Sequence, residues 1–447
     1  MTKGTRNLLI IGGILISITI GLAGLGIYKV YSFFTTMGLN REVPAELKDA
    51  RITTGAGFLT RTEFFKLDKP GLLKTIGESS KHADEKERQK VLSAQTARSI
   101  YNFSDLQLIG DSIIAVGEFG GFVFDLDGNL KSQILFDPST EIVKVGPFEK
   151  ATYQPSLDNL RIVRLDRDHF GFLSFGSTQG LRIFDDKGTE IWRVGKEILD
   201  VGELLNDSDK NYEKSRHVLE ATVGDLDNDG ISEYVVATKN EGIRAYDRSG
   251  KELWLQPDEF ASHKLEVLDI DHDGKNELLE IGKAVRDGNG KIIRDSKIDG
   301  DAIVLADDGK ESKIQFADIF DGKLTLSSED GEKLFASDAP LSEIKKEPKR
   351  VDVPGTGVSY TDDADSVAYP KAALVQLHEG KPKYLAVIAS FIGLPRANFY
   401  VYDADGVLVY HELLPEDAET IAVLPNSAGK DTILIGGKDT IWKYAAN

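Results

Sequence analysis

The sequence predicts an all-β fold, a β-propeller of seven blades with six or eight as the alternatives, and three observations lead there. A chain of 447 residues is too long for one ordinary hydrophobic core, whereas a repeat fold grows by adding units. One hairpin motif recurs along it. The apolar segments beside that motif alternate or run continuously, as strands facing a shared core do.

The motif is a short apolar strand, then D-x-x-G, then a second strand that often closes on an aromatic residue. It occurs as "FVFDLDGNL" (Asp125, Gly128), "RIFDDKGTEIW" (Asp185, Gly188, Trp192) and "RAYDRSGKELW" (Asp247, Gly250, Trp254). It returns as "VRDGNGKII" (Asp287, Gly290), "TLSSEDGEKLF" (Ser328, Gly331, Phe335) and "YVYDADGVLVY" (Asp403, Gly406, Tyr410). An aspartate opening a tight turn bonds the backbone two residues on, and glycine supplies the positive φ of the hairpin. Each hairpin usually follows another strand, such as "SIIAVGEFGG" or "SEYVVATKNEG". Three or four strands per unit, recurring with variable insertions, is a blade pattern.

"TIAVLP", "TILIGGKD" and "TIWKYAAN" form a seventh unit that lacks its outer strand. Propellers close by taking that strand from the other end of the chain, so "SIYNFS" or the segment near Phe58–Phe65 is expected to supply it. The propeller is expected over residues 105–447. Residues 337–370, with Pro340, Pro348, Pro354 and "SYTDDADS", read as an insertion or long surface loop.

Ahead of it, residues 1–36 read as a cytoplasmic tip and transmembrane anchor. Leu8 to Tyr28 is uncharged, and as a helix it would span about 31 Å, enough for the hydrocarbon core. Lys3 and Arg6 favour a cytoplasmic N-terminus. A cleaved signal peptide is the alternative, although the apolar run is long for one and no clear cleavage site follows. Either way the remainder is expected outside the cytoplasm, periplasmic or extracellular. Residues 37–104 are expected as a stalk, with an exposed helix at 84–98.

The net charge of −19 argues against nucleic acid and against docking on an anionic lipid surface. There is no cysteine, which excludes disulfides, thiolate metal sites and a cysteine nucleophile.

Chemistry concentrates in "VGDLDNDGISEYVVAT". Asp225, Asp227 and Asp229 alternate, Gly230 allows a sharp bend, and Glu233 follows. Such a set, with the backbone carbonyl of Ile231, suits a hard cation that takes six to eight oxygens. The spacing returns at Asp269, Asp271, Asp273, Gly274 and Glu277, with Lys275 offering the carbonyl. Two structural Ca2+ sites are expected. An EF-hand needs glutamate at the twelfth position and an exiting helix. The first loop has Val236 there, and both loops run into strand-like sequence.

D-x-D-x-D-G-x-x-[DE] leading into a strand resembles the FG-GAP/VCBS repeat of integrin alpha-like calcium-binding propellers. "VRLDRDHFGF" looks like a degenerate copy, with Arg164 in place of the first ligand, and no metal is expected there. The hairpins are similar to quinoprotein-like propeller repeats, which implies that Trp192 and Trp254 pack structurally over the next blade. Together the two resemblances cover about residues 105–447.

The seven histidines are dispersed, and none falls in a ligand or base–nucleophile spacing. His272 occupies a non-ligand position in the second loop. No catalytic residue and no further cofactor is assigned, and the chain is expected not to be an enzyme. The expected role is a membrane-anchored scaffold for protein partners at the cell envelope or surface. The alternatives are a calcium-dependent adhesin or glycan-binding protein and, less favoured, a quinoprotein-type dehydrogenase.

Overall fold

In the computed structural model the described residues are 43–68, 71 and 103–447, less several loops of which 196–217 is the longest. The candidate anchor Leu8–Tyr28 and the expected helix at 84–98 lie outside them. Their regular structure is β-strand apart from one short 3-10 turn, Ala45–Leu47. Among the described residues no helix is long and apolar enough to cross a membrane.

Strands β1 (Arg51–Thr54) and β2 (Leu59–Lys66) come first. Sheet I is β3–β6 (103–134), followed by a separate hairpin of β7 (Glu141–Val145) and β8 (Glu149–Tyr153). Sheets II to V are β9–β12 (161–194), β13–β16 (218–256), β17–β20 (265–295) and β21–β24 (302–338). Sheet VI contains β25 (Glu343–Asp352), β26 (Ser359–Val375) and β27–β29 (384–413), with β1 beyond β29. Sheet VII is β30–β32 (418–446) with β2 outside β32. The described part of the chain is therefore all-β and built of sheets that resemble propeller blades.

Apolar side chains join these sheets in sequence. Val116 and Phe172 share a cluster between I and II, and Phe175 and Tyr234 share one between II and III. Val235 and Leu265 share a cluster between III and IV, and Leu279 and Phe316 share one between IV and V. Leu326 and Tyr400 share a cluster between V and VI, and Phe399 and Ile433 share one between VI and VII. Leu434 and Ile441 of sheet VII then join Phe103 and Phe122 of sheet I, closing the order on itself. Each sheet buries both faces, so nonpolar burial at roughly 25 cal/mol per Å2 stabilises every junction.

The D-x-x-G turns have a second role at these junctions. Trp254 of sheet III donates its indole N–H to the Gly288 carbonyl at 2.9 Å and covers Gly290 of sheet IV. A Cβ at Gly290 would lie 2.7 Å from that ring, and the residue has φ +80°. Trp192 covers Gly250 in the same way and stacks on Tyr234 at 4.7 Å. The recurring glycine thus serves both the turn and the aromatic roof laid over it by the preceding sheet.

The closing strand is β2. It pairs with β32 from Leu59↔Ala446 to Lys66↔Thr440, within the second of the two expected segments. Phe103 and Ser104 of "SIYNFS" instead begin β3. The buried Glu412 carboxylate accepts from Tyr410 Oη at 2.7 Å and Tyr444 Oη at 3.1 Å, and pairs with Arg61 of β2. That knits the N-terminal strands into sheets VI and VII.

Two segments differ from expectation. Residues 51–54, "RITT", read as stalk, form a strand of sheet VI ahead of the expected closing strand "LTRTEFFK", the two meeting at a corner at Gly55 packed on the Val409 carbonyl. Much of 337–370, read as an insertion or long surface loop, is the ribbon of β25 and β26, continuous with sheet VI, and so is not a loop. Lys346 bridges it to Asp365 at 2.6 Å and Asp362 at 3.3 Å. A ribbon held by charge pairs lacks the apolar alternation that marks a strand.

Antiparallel strands joined in order give each sheet two ends. First-to-second loops and third-to-fourth turns share the loop end; second-to-third turns and the crossings between sheets share the turn end.

Candidate metal loops

Both aspartate loops connect the first and second strands of their sheets, β13 to β14 in sheet III and β17 to β18 in sheet IV. The local folding is the same in each. The Asp229 N–H donates to Asp225 Oδ1 and to Asp227 Oδ1, both at 3.1 Å, and the Gly230 N–H donates to Asp225 Oδ2 at 2.9 Å. In the second loop the Asp273 N–H donates to Asp269 Oδ1 at 3.1 Å and Asp271 Oδ1 at 3.2 Å, and the Gly274 N–H to Asp269 Oδ2 at 2.9 Å. Asn228 and His272 have φ near +60° and Gly230 and Gly274 near +90°, so each loop makes two left-handed turns in three residues. Asparagine and glycine tolerate that region, which explains their placement between the carboxylates.

The winding gathers the side chains. One carboxylate oxygen each from Asp225, Asp227 and Asp229 lie within 4.8 Å of one another, and the same holds for Asp269, Asp271 and Asp273. At such spacing each like-charged pair repels by about 1 kcal/mol in a water-like dielectric and about 3–4 kcal/mol at an effective dielectric of 20. The N–H donors offset part of this, and a divalent cation would offset the rest.

The remaining expected ligands sit beside these groups without joining them. Ile231 and Lys275 donate their N–H to Asp229 Oδ1 at 2.7 Å and Asp273 Oδ1 at 2.8 Å. Glu233 and Glu277 are buried at the first residue of β14 and β18. Glu233 Oε2 accepts the Leu226 N–H at 2.7 Å and Glu277 Oε2 accepts the Ile270 N–H at 3.0 Å. Desolvation, reinforced by Asp227, Asp225 and Asp229, pushes the Glu233 carboxyl up to about 7 despite that bond. Glu277 is raised for the same reasons. A carboxyl raised mainly by burial, with three carboxylates beside it, fits a cation site. Both loops enter strands, as expected. Glu280, at the EF-hand position, is buried and paired with Arg286 at 2.8 Å.

Sheet II places Asp166 at the equivalent loop, and here a side chain supplies the positive charge. Arg248, from the third-to-fourth turn of sheet III, reaches back to Asp166 Oδ2 at 2.8 Å. His169 approaches Asp166 Oδ1 at 2.7 Å. Burial would raise the Asp166 carboxyl, but hydrogen bonds from Arg248 and His169 outweigh it and hold the group well below the usual range.

Successive loops also touch. The Ser232 N–H donates to the Leu165 carbonyl at 3.1 Å, and Asn276 Nδ2 donates to the Asp225 carbonyl at 2.7 Å. His272 faces Glu329 of sheet V at 3.5 Å. The loops of sheets II, III and IV therefore form a connected arc at the loop end. Arg248 and Asn276 were not singled out from the sequence, because their partners are distant along the chain.

No protein-family model and no curated protein sequence matches the chain. Among solved structures it is similar to the Neurospora crassa Pan2 WD40 domain, at 11% identity and a TM-score of 0.43, covering 86% of this chain and 95% of that one. It is similar to BBS1N in its complex with ARL6DN, at 10% identity and a TM-score of 0.38, covering 77% and 92%. It is also similar to the V. cholerae biofilm matrix protein Bap1, at 12% identity and a TM-score of 0.35, covering 72% and 73%. Similarity at this level is too slight to transfer a ligand or a partner.

Proposed function

We propose that the chain is a membrane-anchored, calcium-binding β-propeller of seven blades that serves as a protein-interaction scaffold outside the cytoplasm. The closed order of apolar junctions from sheet I to sheet VII supports seven blades. Two aspartate triads, each within 4.8 Å, at consecutive loops of that ring support calcium and carry the proposal. The loop pattern is also what underlies the resemblance to the FG-GAP/VCBS repeat. Asp225, Asp227, Asp229, the Ile231 carbonyl and Glu233 would hold one ion; Asp269, Asp271, Asp273, the Lys275 carbonyl and Glu277 would hold the other. The ions would neutralise the carboxylates and fix the loop-to-loop contacts, a structural role.

The uncharged run Leu8–Tyr28 supports the anchor and an extracytoplasmic propeller. A rigid ring of sheets presents broad loop-built faces, which favours binding over catalysis. The test is affinity capture of the full chain from detergent-solubilised membranes, with and without calcium. Recovery of one stoichiometric protein partner supports the scaffold. Enrichment of glycan instead, or reduction of a redox dye when quinone and an alcohol are added, would contradict it.

A further inference from the structure

The point where the N-terminal segment joins the ring orients the molecule. Leu47 is fully buried in the cluster between sheets V and VI, with Val43 packed against it. Their neighbours in that cluster include Ile319 before the β22–β23 turn, Leu394 in the β27–β28 turn, and Leu341 and Ile344 at the start of the β25 ribbon. Arg396 clamps the entry by donating to the carbonyls of Leu47 and Lys48, each at 2.9 Å. From there β1 runs down β29, with Arg51 beside Leu413. The segment therefore enters at the turn end, the end opposite the aspartate loops.

Large apolar side chains stand out of the same end. Phe320, the last residue of β22 before the β22–β23 turn, is 80% exposed, and Ile392, in the β27–β28 turn, is 60% exposed. Tyr369 is 76% exposed on β26, at a register shift beside that turn. It has φ 52° in front of Pro370. That left-handed conformation is costly for a bulky residue, and here it accompanies an aromatic ring directed into solvent. The Ile392 N–H donates to the Ser366 carbonyl at 3.0 Å, which ties its turn to the β26 ribbon.

We propose that this end of the ring lies against the lipid bilayer, with Phe320, Tyr369 and Ile392 at the membrane interface and the aspartate loops facing away. The proposal rests on the anchor reading of Leu8–Tyr28. Residues 29–42 are all that separates that run from the docked Val43 and reach about 50 Å at full extension, so the turn end stays near the membrane. A short tether gives an effective concentration on the order of millimolar, so three apolar side chains suffice where they would not in a free protein. Tyr369, a ring with one polar edge, suits the headgroup level, and Phe320 and Ile392 suit the apolar side of it. Because the contact is apolar, it does not require anionic lipid and is compatible with a net charge of −19. Any partner would then be met by the loop end and the rim.

The absence of cysteine makes the test simple. The full chain, carrying one environment-sensitive fluorophore at Phe320→Cys, Tyr369→Cys or Ile392→Cys, is placed in phosphatidylcholine nanodiscs containing quencher-bearing lipid. Leu126→Cys and Val407→Cys, in exposed D-x-x-G turns at the loop end, are the comparison. Quenching at the three turn-end sites should exceed that at the two loop-end sites several-fold, with melting unchanged across the set. Equal or reversed quenching overturns the orientation. A parallel urea wash of membranes separates the causes: a chain retained by the membrane but quenched equally refutes the orientation alone, whereas a chain that washes off refutes the anchor on which it rests.

Discussion

The loop of sheet II and the loops of sheets III and IV occupy equivalent places in consecutive sheets and solve the same electrostatic problem differently. In sheet II one aspartate, Asp166, accepts Arg248 from the neighbouring turn, and its acidity rises accordingly. In sheets III and IV three aspartates converge, with the exposed Lys275 ammonium 3.3 Å from Asp273 in the second set, and the buried Glu233 behind the first set is pushed toward protonation. A loop neutralised by its neighbour is complete on folding. On the proposed reading, a loop with surplus carboxylates is completed by an ion. If the proposed ions bind, the difference teaches that calcium dependence would follow from the charges supplied around a loop, since all three sites share their position between first and second strands.

The largest effect should follow removal of the surplus charge. The double substitution Asp227→Asn with Asp271→Asn should reduce calcium stoichiometry from two to none by titration calorimetry. Millimolar-range sites at an ion concentration tenfold to a hundredfold above Kd contribute about 1–3 kcal/mol each. The variant should lose that increment in calcium and melt nearly alike with and without chelator. Either single substitution should leave one ion bound.

A smaller and opposite signature belongs to the neutralised loop. Arg248→Met should cost about 0.5–1 kcal/mol, since the pair is partly exposed. Its loss of melting temperature should be the same with calcium or chelator. A loss appearing only with chelator would mean that the junction of sheets II and III also depends on the ions.

The smallest effect is on pH dependence. Without the ion, Glu233 titrates near 7 when folded and near 4.5 when unfolded. The native state then binds the proton more tightly between those values. Its contribution is complete below pH 4.5 and declines as pH rises through 7. Chelated protein should therefore lose stability from pH 5 to pH 7.5 relative to a Glu233→Gln variant, in parallel urea titrations. Added calcium, which favours the carboxylate, should remove that decline.

Much of this was legible in the sequence because the repeat is local. The D-x-x-G turns, the apolar strands beside them and the two aspartate loops each lie within about a dozen residues, and the strands, turns and carboxylate groups stand where that spacing implied. Trp192 and Trp254 were legible through a resemblance, and their glycine partners explain why the motif needs both residues. What escaped was non-local or polar. Arg248 meets Asp166 only after two sheets pack, and Asn276 reaches the first loop across a sheet junction. β1 was read within a stalk because its partner lies at the other end of the chain, whereas β2 was anticipated as a closing strand. The ribbon of β25 and β26 was hidden by prolines and by strands paired through charge.

The most direct test is the thermal melting of the full chain in calcium and in excess chelator at fixed ionic strength. Calcium should raise the melting temperature by several degrees, with the increment halved by Asp225→Ala or Asp269→Ala and abolished by both. An unchanged melting temperature in calcium and chelator would contradict the claim that these loops are completed by an ion.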